Sequence, residues 1–141
     1  MTAAPDILGD VSDENVEVVR RVQDAFNRGD LDELLGYMSP DTEWQISENN
    51  PAARTLHGRD ELRAYLEDWR DTVHGLYYEV SRCIDAGDAV MQEGTISGHA
   101  GHGGPELTVP LALVTYFEDG VPVRTEEYLD VAQAHAAAGI A

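Results

Sequence analysis

The sequence predicts an α+β fold: a cone-shaped, curved antiparallel sheet with about three N-terminal helices packed on its concave face. Three observations carry this. Apolar residues recur at helical spacing up to Val73, the period drops to two after Gly75, and hairpin-turn signals punctuate the second half. A chain of 141 residues with no internal repeat and no linker-like stretch fits one domain. Residues 1–12 are expected as a disordered tail and residues 13–138 as the domain.

Ser12 or Asp13 is the expected cap of a first helix, with Val16, Val19, Val22 and Phe26 on one stripe and Gly29 at its C-terminus. Asp30 caps a short second helix carrying Leu31, Leu34, Leu35 and Met38, which Pro40 stops. Thr42 to Ser47 alternates, with Trp44 and Ile46 on one face, and reads as a strand. Glu48-Asn49-Asn50-Pro51 reads as a loop. A third helix starts at Gly58-Arg59-Asp60, its stripe being Leu62, Tyr65, Leu66, Trp69 and Val73, with Gly75 just past its end. Residues 77–85, 88–99, 106–118 and 121–130 read as an antiparallel meander, turning at Asp85-Ala86-Gly87-Asp88 and Glu118-Asp119-Gly120. Ala132 to Ala138 reads as a short helix or tail. Such a sheet wrapped over helices leaves a cavity suited to a small apolar ligand.

Composition restricts the partners. Nine basic residues, all arginine, stand against 27 acidic ones, a formal charge of -18. That charge repels phosphate backbones and anionic headgroups, so neither nucleic acid nor a membrane surface is expected as a partner. Cys83 is the single cysteine, so no internal disulfide forms. The first residues lack the basic and apolar regions of a signal peptide, and the expected location is cytoplasmic.

Several segments in order, Ala25-Phe26-Asn27-Arg28-Gly29-Asp30-Leu31-Asp32, Pro40-Asp41-Thr42-Glu43-Trp44, Gly58-Arg59-Asp60-Glu61-Leu62, Asp85-Ala86-Gly87-Asp88, Glu118-Asp119-Gly120 and Glu127-Tyr128-Leu129-Asp130, carry a resemblance. Over roughly residues 13–138 the chain resembles the SnoaL-like, polyketide-cyclase-like branch of the nuclear-transport-factor-two-like superfamily, which includes ketosteroid isomerases. The resemblance implies the cystatin-like α+β barrel and a cofactor-independent enzyme of isomerase, cyclase, dehydratase or epoxide-hydrolase type. Isomerase-like chemistry would place a tyrosine, a base and a protonated acid at Val22, Ile46 and Leu113, all apolar here. The acid that polyketide cyclases use also falls at Leu113. The epoxide-hydrolase pattern maps its last-strand acid onto Glu127. It puts Glu93 where that pattern has arginine, and Thr95 where it has an acid.

Alternation then defines an expected inward set. Val123, Thr125, Glu127 and Leu129 share a face, as do Met91, Glu93, Thr95, Ser97 and His99, and as do Val109, Leu111, Leu113, Thr115 and Phe117. The candidate catalytic groups are therefore Glu127, Glu93 and His99. Trp44, Ile46, Phe26, Trp69, Thr95, Leu113, Thr115 and Leu129 are the candidate substrate-binding residues. Two inward carboxylates two strands apart would share a proton or pin a water. The competing reading of Glu127 is an outer-face residue paired with Arg124 or Arg82. His99 and His102 flank a glycine-rich turn. His-x-x-His without a third ligand is a weak metal signal, and no metal or cofactor is expected. The alternative to an enzyme is a non-catalytic ligand-binding or dimerisation module. A homodimer is expected, buried through an outer sheet face bearing Val90, Ile96, Leu107 and Val114.

Overall fold

The computed structural model describes residues 4–47, 53–101 and 103–139. The fold is α+β, with four helices and one six-stranded curved sheet. Helix α1 (Ala4–Arg28) begins well before the expected cap, so residues 4–12 belong to a helix rather than a tail. Ser12 and Asp13 cap only if the chain before them leaves the helix. Pro5, the strongest breaker nearby, sits in the first turn, where proline is tolerated.

Gly29, at φ 78°, ends α1. Its N–H donates to Phe26 O, and the Asp30 N–H to Ala25 O. This is the reversal that only a residue tolerant of positive φ makes cheaply. The Asp30 carboxylate then accepts from the Glu33 N–H at 3.0 Å and starts α2 (Leu31–Tyr37). Strand β1 (Glu43–Gln45) pairs antiparallel with β2 (Thr55–His57), a short polar strand with no distinct sequence signal. The loop expected at Glu48 to Pro51 lies outside the described residues. Helix α3 (Gly58–Thr72) buries Leu62 and Leu66.

Strands β3 (Val73–Asp85), β4 (Ala89–Ala100), β5 (Glu106–Glu118) and β6 (Val121–Tyr128) form the expected meander. β3 follows α3 directly. Gly75, at φ 67°, lies inside β3, where the register shifts between His74 and Tyr77. The sheet order is β2-β1-β6-β5-β4-β3, and β1 runs parallel to β6. That one parallel pairing sets Trp44 opposite Thr125, two residues before Glu127.

The main core lies between α1, α2, α3 and the concave face. It joins Ala25, Leu31, Leu34, Leu35, Met38, Trp44, Ile46, Leu56, Leu62 and Leu66. A second cluster lies on the other face. Helix α4 (Val131–Ala138), capped by the Asp130 side chain on the Ala132 N–H at 2.8 Å, places Ala134 against Met91, Ala112 and Val114. The apolar outer face expected for dimerisation is therefore not present as drawn. Val114 is buried beside α4, Val90 is fully buried, and Ile96 and Leu107 line the cavity. Among the described residues no helix is long and apolar enough to cross a membrane.

Candidate active site

The concave face and the helices enclose a cavity of about 470 Å³. The helices contribute Val22, Phe26, Leu34, Leu66 and Trp69, and the sheet contributes Leu76, Ile96, Leu111 and Leu113, with Leu129 just beyond β6. Leu107 and Val109 are exposed at the end of β5 that lines the opening. The walls are apolar apart from a few groups.

One of these is Glu127. On β6, alternation turns Val123, Thr125 and Glu127 inward, while Arg124, Glu126 and Tyr128 turn out. The outward three form their own network: Arg124 binds Glu126 at 3.0 Å and Glu43 at 2.9 Å, and the Tyr128 hydroxyl donates to Glu126 at 2.8 Å. The Glu127 carboxylate is gripped from three sides. Trp44 Nε1 donates to Oε2 at 2.6 Å, the Tyr65 hydroxyl lies 3.1 and 2.9 Å from the two oxygens, and the Ser47 N–H donates to Oε1 at 3.4 Å. Parallel pairing with β1 delivers the indole and the amide, and the apolar stripe of α3 delivers the phenol.

Burial among these walls raises the Glu127 pKa above the ordinary carboxylate value, and the donors Trp44, Tyr65 and Ser47 partly oppose that shift. Burial, and then the Glu127 charge, push the Tyr65 hydroxyl well above the usual tyrosine range, so Tyr65 stays a proton donor at neutral pH. Tyr65 is braced edge-on by Trp69, ring centroids 6.5 Å apart at 86°.

Of the expected site residues, Glu127, Trp44, Phe26, Trp69, Leu113 and Leu129 meet at this cavity. The others do not. Glu93 points to the opposite face, where it pairs with His135 of α4 and lies 3.8 Å from Arg82. The convergence of Glu93 with Glu127 is thus corrected. Ile46 is fully buried in the core behind the cavity. Thr115 is buried deeper in the sheet, its Oγ1 3.5 Å from that of Thr125. Thr95 is not among the lining residues, and His99 is exposed on β4 opposite Glu106. His102 lies outside the described residues. Among the described residues no three His, Cys, Asp or Glu side chains are grouped to hold a metal ion.

The error on β4 has a physical origin. Ala89, Val90, Met91 and Gln92 are all buried because helices cover both faces there. No polar–apolar alternation fixes the parity, and a shift of one residue moves every side chain to the other face. Within this buried stretch the polar residue that lines the cavity is Gln92, and Ser97 of the expected inward set lines it further along the strand. Gln92 pairs with Leu113, which pairs with Glu127, so the three stand in one row across β4, β5 and β6. Tyr65 was visible in the α3 stripe but reads there as a packing residue. Ser47 acts through its backbone and carries no side-chain signal.

A family model for the SnoaL-like domain matches residues 19–124. The chain belongs to the SnoaL-like domain family. Solved structures agree in fold. An NTF2-like protein of unknown function from Burkholderia pseudomallei is 26% identical with a TM-score of 0.74, covering 87% of this chain and 95% of its own. An NTF2-like protein from Burkholderia thailandensis is 27% identical with a TM-score of 0.73, covering 85% and 95%. A candidate SnoaL-like polyketide cyclase from Jannaschia sp. CCS1 is 19% identical with a TM-score of 0.76, covering 91% and 93%. No curated protein matches the chain.

Proposed function

We propose that this protein is an enzyme that moves a proton on a small hydrophobic molecule, with Glu127 as the acid/base group. The observation that carries this is a carboxylate facing an apolar cavity of about 470 Å³ and held by three donors. An ionised carboxylate offers about four acceptor positions. Trp44, Tyr65 and Ser47 supply three protons, which leaves one position for a substrate C–H or O–H. The grip also fixes the carboxylate's direction before substrate arrives, as proton transfer requires.

With Glu93 on the far face, Glu127 is the one carboxylate among the described residues that line the cavity. The arrangement therefore favours an isomerase- or cyclase-type proton transfer over epoxide hydrolysis or dehydration. The test is exchange of the α-protons of 1-tetralone and related cyclic ketones in D2O, followed by proton NMR. Wild type should accelerate exchange, and Glu127→Gln, checked for fold by circular dichroism, should lose about 100-fold or more of it. An unchanged rate in Glu127→Gln would remove the proposal. Ketones bound but returned without exchange would instead support a carrier, a reading favoured by the apolar residues Val22, Ile46 and Leu113.

A further inference from the structure

A second polar feature of the cavity lies opposite Glu127. Gln92 is 97% buried and lines the cavity, in the same cross-strand row as Leu113 and Glu127. The backbones of β4 and β6 are two strand spacings apart, about 9.6 Å, with Leu113 between them. The cavity floor thus carries an acid at one end and a carboxamide at the other.

The orientation of that carboxamide follows from a chain of obligate roles. The Tyr78 carbonyl can only accept, and it receives Asn27 Nδ2 at 3.0 Å and Gln23 Nε2 at 3.3 Å. Asn27 is itself locked, because its Oδ1 accepts the Tyr78 N–H at 2.8 Å. Gln23 must therefore turn its NH2 toward Tyr78, which leaves its Oε1 facing Gln92. Gln92 Nε2 lies 3.5 Å from that oxygen and fills the donor role. Gln92 Oε1 is left as an acceptor with no partner among the described residues. Gln92 lines the cavity, so an acceptor there is open to a donor carried by an occupant.

We infer that Gln92 is a specificity residue that accepts a hydrogen bond from a hydroxyl or N–H at the far end of the substrate. The substrate class is then a rigid apolar ring system with two polar ends, one an acidifiable position beside Glu127 and the other a hydrogen-bond donor beside Gln92. The inference rests on the cavity being the substrate site, and it is read by binding rather than by turnover.

The probes are 6-hydroxy-1-tetralone, which carries a donor, and 6-methoxy-1-tetralone, which carries only acceptors. Affinities come from calorimetry. Wild type should bind the hydroxy compound about tenfold more tightly than the methoxy compound. Gln92→Met, close in shape but apolar, should erase the difference. Gln23→Met releases the Gln92 amide to flip and should narrow the difference while leaving Gln92 in place, which covers the case in which Gln92→Met fails to fold. Glu127→Gln should keep the tenfold preference while losing exchange, which separates this inference from the proposed chemistry. No binding of the hydroxy compound, equal affinities in wild type, or a preference that survives both Gln92→Met and Gln23→Met would overturn it.

Discussion

Glu127 links the backbone, an indole and a phenol to one titration. Its folded-state pKa lies above the ordinary 4.5 because burial penalises the charged form. The folded protein therefore holds this proton to higher pH than the unfolded chain does. Its contribution to stability is complete below the unfolded value and is lost as pH rises through the raised folded value. Melting temperatures measured across that range should show the decline in wild type and not in Glu127→Gln, which keeps the neutral shape at every pH. Activity should run the other way if Glu127 acts as a base, with an acid limb whose midpoint lies above 4.5. Tyr65→Phe removes a donor that favours the charged form, so it should move that midpoint further up. A purely structural Tyr65 would lower stability and leave the midpoint in place, and a pH–rate profile separates the two.

At the scale of elements, the parts with local chemistry were legible and the parts set by packing were not. Asp30 and Gly29 punctuate α1 and α2 by capping rules that need no tertiary knowledge, and the structure uses both. Asp30→Ala should cost about 1 kcal/mol in a urea titration. Gly94 is different. Nothing in the sequence marks it, yet a Cβ there would collide with the Glu79 carbonyl on β3, where the strand irregularity between Val80 and Arg82 begins. Gly94→Ala should therefore cost more than Asp30→Ala, by the same measurement. The parity of β4 was likewise beyond reach, because the cover supplied by α4 is a tertiary fact. On β6 the resemblance supplied what alternation could not: it maps a last-strand acid onto Glu127, and the structure turns Glu127 toward the cavity.

At the scale of the molecule, the excess of acids spreads over exposed surfaces rather than the site. Asp60, Glu61, Glu67, Asp68 and Asp71 all lie exposed on α3. A net charge of -18 on a chain this small is self-repulsive, and salt relieves it. Raising NaCl from about 10 to about 150 mM shortens the screening length from roughly 30 to 8 Å. The melting temperature should rise by roughly 3–6 °C, about 1 kcal/mol of relief. A flat response in a thermal scan would mean that the acids in excess of the arginines lie too far apart to repel one another measurably.

The two tryptophans of the chain, Trp44 and Trp69, both stand in the cavity wall. The protein's whole indole emission therefore originates at the candidate site, with Trp44 hydrogen-bonded to the very carboxylate whose protonation matters. The molecule carries its own optical probe: an occupant of the cavity and a proton on Glu127 both report through the same light, without a label.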